Sequence, residues 1–148
     1  ALNATAGTMA RIDFYVMKAS GEQARRHFAC KLAEKAWRLD NTVHIIAETR
    51  DDAARLDELL WTFRDGSFVP HHVIPAADLE SPITIGCESD ETDSRDLLIN
   101  LCDDVPAVAE SFPRVAELVT SDEDAKQCSR RRYAAYRDQG HDINTHNV

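Results

Sequence analysis

The 148-residue chain is poor in glycine and proline, with five of each. That excludes a fibrous or linker-dominated molecule. Its four cysteines, Cys30, Cys87, Cys102 and Cys128, include no pair at CxxC spacing. A zinc knuckle and a thioredoxin-type redox pair are therefore excluded, and the compartment rule reads the four as reduced thiols of a cytoplasmic protein. No stretch approaches the roughly 20 apolar residues of a membrane span. No apolar run precedes the first cation, Arg11, as a signal peptide would require. Positive charge is also in deficit, because 17 Lys and Arg stand against 26 Asp and Glu for a net −9. Such a surface repels a phosphate backbone unless its cations gather in one place, so dominant nonspecific DNA binding is not expected and a local basic site stays open.

Chemical motifs are scarce too. The first strand-to-helix turn, Lys18-Ala19-Ser20-Gly21-Glu22, holds one glycine, whereas a Walker loop or dinucleotide fingerprint needs several to bring backbone N–H groups to phosphate. His71-His72 is the single histidine pair, and neighbours on an extended segment point to opposite sides. With no third ligand at a suitable spacing, the pair reads as surface loop, and no metal or cofactor is expected. No Ser or Cys stands in a nucleophile motif, and the abundant carboxylates read as a solvated face.

What the chain does have is 43% hydrophobic residues, enough for one domain with its own core. Residues 1–10 read as an N-terminal extension or cloning scar, with Met9 a conventional start, and 11–148 as one α/β domain. Ile12 to Met17 is a β-branched and aromatic run that suits a strand. Ser20 and Gln23 form a capping-box pattern, and Ala24, Phe28, Leu32, Ala36 and Leu39 then repeat at helical spacing. Thr42 to Ala47 reads as a strand, and Thr49 caps a helix whose apolar face is Ala53, Leu56, Leu59, Leu60 and Phe63. This β-α-β-α start implies parallel strands. Further strands are expected at 72–74, 82–87, 96–102 and 115–119, with a short helix at 106–111. A last helix opens at a capping box, Ser121 to Asp124, and stops at Gly140. The remainder, His141 to Val148, reads as a polar tail.

Two features stand out. Residues 125–137 contain Lys126, Arg130, Arg131, Arg132 and Arg137 and no acid. Lys126, Arg130 and Tyr133 share a helix face at i, i+4 and i+7, and cations flanking a tyrosine ring suit a carboxylate next to an apolar side chain. The second feature is Trp61, just past the apolar stripe of its helix, followed by Phe68-Val69-Pro70. These are core residues or an exposed anchor for a partner.

A resemblance runs through several segments in order: Phe14-Tyr15, Trp37, Arg55-Leu56-Asp57-Glu58-Leu59-Leu60-Trp61, Ser67-Phe68-Val69-Pro70-His71, Arg95 to Leu101, and Arg132 to Arg137. Together they resemble the chi subunit of bacterial DNA polymerase III holoenzyme. The resemblance implies a three-layer α/β fold, Rossmann-like without a phosphate-binding loop, whose mostly parallel or mixed sheet is flanked by helices. It implies no intrinsic activity. The role implied is that of a clamp-loader accessory protein, joined through the psi subunit and binding the acidic C-terminal tail of single-stranded DNA-binding protein, with nucleic acid an indirect partner only. By residue, the tail-binding positions are Val119, Lys126, Arg130, Tyr133 and Thr145, with Ile143 a weaker candidate, and the psi-facing positions are Trp61, Phe68, Val69 and Pro70. Thr120-Ser121 stands where the resemblance expects a bulkier, proline-containing pair, and His141 where it expects an apolar or aromatic residue. Both are expected to border the tail pocket and make it shallower. The competing class, a small α/β enzyme or nucleotide-binding protein, would need convergent polar groups at the strand C-termini, and the sequence offers no such set.

Overall fold

The computed structural model describes residues 10–63, 69–74, 81–88, 90 and 92–148. Seven strands form one sheet: β1 (Arg11–Val16), β2 (Val43–Ala47), β3 (His71–Val73), β4 (Ile83–Cys87), β5 (Leu97–Asn100), β6 (Arg114–Val119) and β7 (Asp142–Asn147). Their order is β3-β4-β2-β5-β6-β1-β7, and every pairing is parallel. Helices α1 (Glu22–Arg38), α2 (Arg50–Thr62) and α3 (Glu123–Asp138) and a 3-10 turn (Ala107–Ser111) complete the three layers.

Parallel strands covered on both faces are apolar throughout rather than alternating. Accordingly β2 and β4, Val-His-Ile-Ile-Ala and Ile-Thr-Ile-Gly-Cys, are buried at every position. One face packs Ile45, Ile85, Ile99 and Leu118 against Ala29 and Ala33 of α1 and Leu56 and Leu60 of α2. The other packs Ile12, Phe14, Leu98, Val115 and Val119 against Tyr136 of α3 and Phe112. The two polar groups inside the β2–β4 pair meet each other, with His44 Nδ1 2.8 Å from Thr84 Oγ1.

Several expectations need correction. The polar tail is a strand: β7 pairs along its length with β1, from Arg11–Asp142 to Val16–Asn147. It lies at the sheet edge with most side chains partly exposed, so it needs no apolar run. The inward face of helix α1 is shifted from the expected one: it centres on Ala29, Cys30, Ala33 and Ala36 with Phe28 and Leu32 partly buried at its margin, while Leu39 is 65% exposed. Small residues there let the helix lie close to the sheet. Its cap is Gly21, at φ 92° and without a side-chain cap bond, instead of Ser20. His71 is not on a surface loop but buried in β3, with only His72 facing out. The Thr49 cap is as read, its hydroxyl oxygen accepting from the Asp52 N–H at 3.1 Å. Burial pushes the Cys30 and Cys102 thiols up to about 12, and all four cysteines are free.

Candidate functional site

Helix α3 is oriented by a buried polar cluster on β6. Glu117 has no exposed surface and accepts from Arg132 Nε at 2.7 Å, the Tyr136 hydroxyl at 2.6 Å and Asn100 Nδ2 at 2.9 Å. Arg132 also donates to the Asp103 carbonyl at 2.9 Å. Burial, then the neighbouring Glu117 carboxylate, raises the Tyr136 phenol above its ordinary value. With Arg132 and Tyr136 inward, the helical turn places Tyr133, Lys126, Arg137 and Arg130 about 80–140° round the axis, on one flank. Arg131 falls on the opposite flank, 3.8 Å from Asp104. The arginine run therefore points in three directions, and Arg132 belongs to the interior instead of the basic surface.

The flank bearing Tyr133 faces β7. The Tyr133 ring is 41% exposed and leans on Phe14 of β1, with centroids 5.5 Å apart and planes at 51°. Phe14 is in register with Glu117 on one side and Thr145 on the other. Two residues along the same face, Val16 is in register with Val119 and Asn147. Thus Tyr133 and Thr145 flank Phe14 on one face of the sheet, with Lys126 and Arg130 on the same flank of α3, while Val119, 3% exposed, lies in the core beneath that face and two strands from Thr145. Arg130 has one loose ion pair, 4.0 Å from Glu123 with both side chains well exposed, which contributes little. Phe14, Val16 and Asn147 share this face, a neighbourhood that sequence does not record because strand register carries no short-range signal. Ile143 is on this face as well, opposite Ile12.

His141 lies at the far end of this face: its Nδ1 accepts from the Ala10 N–H at 3.0 Å, about 20 Å from Val16 at strand rise, and its ring is 5.9 Å from that of Tyr136. Thr120 follows Val119 at the end of β6, and its hydroxyl donates to Asp122 at 2.8 Å.

That bond belongs to a crevice where the connections from β1 and β6 leave on opposite faces, the usual ligand position of open α/β sheets. Here the Asp122 carboxylate accepts from the Gly21 N–H at 2.9 Å, the backbone donor at the start of α1. Bonds from Gly21 and Thr120 hold Asp122 below the usual carboxylate range. For the same reason Asp122 makes no side-chain cap for its own helix α3. Arg25, alongside, is buried, with Nη2 on the Leu101 carbonyl and Nε 2.8 Å from Glu22.

The second feature lies at the other sheet edge. Trp61, at the end of α2, is 48% exposed and leans on His71 with ring centroids 4.5 Å apart. Pro70 is half-buried beside a groove of about 340 Å³ lined also by Asp57 and His72. Val69 has no exposed surface and packs in the core, so its side chain anchors the segment instead of facing outward. Phe68 lies outside the described residues. Among the described residues, no group of three or more His, Cys, Asp or Glu is placed to hold a metal ion, and no helix is long and apolar enough to cross a membrane.

The class defined by fold and site is a three-layer parallel α/β protein whose own Asp122 carboxylate caps the backbone donor at the start of α1. A yeast structure shares that fold: an S. cerevisiae Dbp5 variant bound to RNA and ADP BeF3 superposes with TM-score 0.61 at 12% identity. The match covers 96% of this chain and 42% of that one. The chain itself belongs to the DNA polymerase III chi subunit family: the model of "DNA polymerase III chi subunit, HolC" matches residues 9–144. The DNA polymerase III subunit chi of Pseudomonas aeruginosa is 38% identical over 140 residues, covering 95% of this chain and 98% of that protein. The subunit of the same name from Escherichia coli is 33% identical over 143 residues, covering 93% and 97%.

Proposed function

We propose that this chi-family chain is a non-catalytic accessory subunit of the DNA polymerase III clamp-loader assembly. It joins that assembly through the psi subunit and binds the acidic C-terminal tail of single-stranded DNA-binding protein. The observation that carries the reading is the half-exposed Tyr133 ring leaning on Phe14, in register with Thr145, on the flank of α3 that also bears Lys126 and Arg130. An acidic segment ending in an aromatic residue and a free carboxylate matches it part for part. Arg130 offers a planar fork for the carboxylate, Lys126 a point charge for preceding acids, and Tyr133 a wall for the ring, with the buried Val119 supporting that face from the core. At the opposite edge, Trp61 and Pro70 are the psi-facing side chains, with Val69 anchoring their segment from within, and Phe68 is assigned to the same contact from the sequence.

The test is titration with a short acidic peptide ending in phenylalanine, free or amidated. Arg130→Ala should cost ~1.5–3 kcal/mol with the free peptide, the range of a charge-assisted hydrogen bond. Amidation should cost a similar amount on the wild type and much less on Arg130→Ala, because both changes remove one contact. Equal amidation losses on the two backgrounds would reduce Arg130 to general positive charge.

A further inference from the structure

We propose that His71 is a positioning residue for Trp61, holding the indole in one orientation so that it meets its partner preformed. The proposal rests on the reading of Trp61 as a psi-facing side chain. His71 is the inward-facing first residue of edge strand β3, and its side chain has no exposed surface. The ring has oxygen acceptors at both nitrogens, of which a neutral imidazole donates to one side and a protonated ring to both: Nδ1 lies 2.6 Å from the Val69 carbonyl oxygen, and Nε2 lies 3.1 Å from Asp57 Oδ1 and 3.2 Å from the Asp57 carbonyl oxygen. A ring flip would break both contacts and leave buried polar atoms unpaired, so the imidazole has one orientation. Asp57 and Trp61 are four residues apart on α2, so they share a helix face. One turn of helix thus clamps the imidazole with its first residue and rests an indole on it with its last, at 4.5 Å and 53°.

Attachment of the edge strand alone does not call for this arrangement. Val69 and Ile74, both buried, already anchor either side of β3, and β3 pairs with β4 over three residues. What the clamped ring adds is a fixed support under a large, half-exposed side chain. A free indole would lose rotamer freedom on docking, and a supported one has lost it in advance. His71 thereby raises affinity without touching the partner.

The experiment uses the full chain and purified psi subunit. Calorimetry compares wild type, Trp61→Ala, His71→Ala and the double variant. His71→Ala should weaken psi binding about ten-fold on the wild type and less than about two-fold on Trp61→Ala, as for two residues acting as a unit. Equal losses on both backgrounds, or no loss on the wild type, overturn the proposal. Asp57→Asn, which keeps the shape of the clamp and weakens its charge, is the second variant should His71→Ala fail to fold; it should lose affinity in the same Trp61-dependent way, and an unchanged affinity overturns the proposal. A second readout needs no partner. The chain has two tryptophans, so Trp37→Phe leaves Trp61 as the reporter in an anisotropy decay. Replacing His71, or Asp57 where that variant is the one used, should enlarge the fast rotational component, and an unchanged decay overturns positioning whatever the binding does. If Trp61→Ala leaves psi binding intact while the decay changes as expected, the psi assignment fails and the positioning of Trp61 stands.

Discussion

Arg132 Nε lies 2.7 Å from Glu117 Oε1, with the two side chains 2% and 0% exposed. The charges of the pair are wholly internal, although Arg132 is the third member of a run that looks uniformly basic in sequence. Removing one partner of such a pair leaves an uncompensated buried charge, at ~3–5 kcal/mol. Arg132→Ala should therefore lower stability in urea by that amount, whereas Arg130→Ala and Arg131→Ala, both exposed, should stay within ~0.5 kcal/mol of wild type. Three similar urea midpoints would refute the interior assignment.

His44 makes stability pH-dependent. Burial first, then the Arg95 charge, presses it from 6.5 down to about 4. The unfolded chain takes up this proton at higher pH than the folded one. The contribution is therefore whole above pH 6.5 and is lost as pH falls from 6.5 through about 4. Lowering pH from 7 to about 4.5 should remove about 2–3 kcal/mol through this group. His44→Gln, which still reaches Thr84, should lack that fraction of the loss. Parallel pH profiles for the two proteins would show that His44 is not responsible.

The Asp122 carboxylate should protect the Gly21 amide. Its folded value lies below 3.8, so the bond persists above that pH and fades as acid is added below it. Asp122→Ala should speed hydrogen exchange at Gly21 by ~10-fold or more without unfolding the core, because the effect is local. Unchanged exchange would mean that the amide has other protection.

Strand β7 should be part of the tail groove and not a dispensable end. It is fastened to β1 by its register, by His146 Nε2 2.9 Å from Asp13 Oδ1 and by the His146 ring stacked on Tyr15 at 5.0 Å. Ending the chain at His141 leaves Lys126, Arg130 and Tyr133 in place but removes Thr145 and Asn147. Binding of the acidic peptide should fall at least ~10-fold, the loss of a wall and not merely of rim contacts. Undiminished binding would confine the site to α3.

The central strands and all three helices were legible because their signals are local: apolar runs, helical spacing, and a threonine cap at Thr49. The pairing of Lys126 and Arg130 with Tyr133 on one flank was legible for the same reason. Strand β7 was not, since Asp142–Asn147 contains one apolar residue and its partner β1 lies 131 positions away in register. The α1 start was misread because Gly21 is bonded by Asp122, about a hundred residues on, a competition that no capping pattern records. His71 looked like surface because its burial depends on Asp57 and Val69 closing around it. The interior role of Arg132 required knowing that Glu117 faces α3.

The order of the strands has a mechanical consequence. Trp61 stands by β3 and Thr145 lies on β7, the two outermost strands, so six interstrand spacings separate them, roughly 29 Å at the usual pitch. A load between those points runs across the strands, along the line of their hydrogen bonds, which is the direction in which a sheet peels one strand at a time. The shortest joint is β3–β4, three residue pairs against six for β1–β7. Trp61, however, belongs to α2, whose Leu56 and Leu60 are sunk in the core beneath the sheet. A grip on Trp61 thus bypasses the weakest seam and draws on the body of the molecule, making the chain a stiff spacer instead of a hinge.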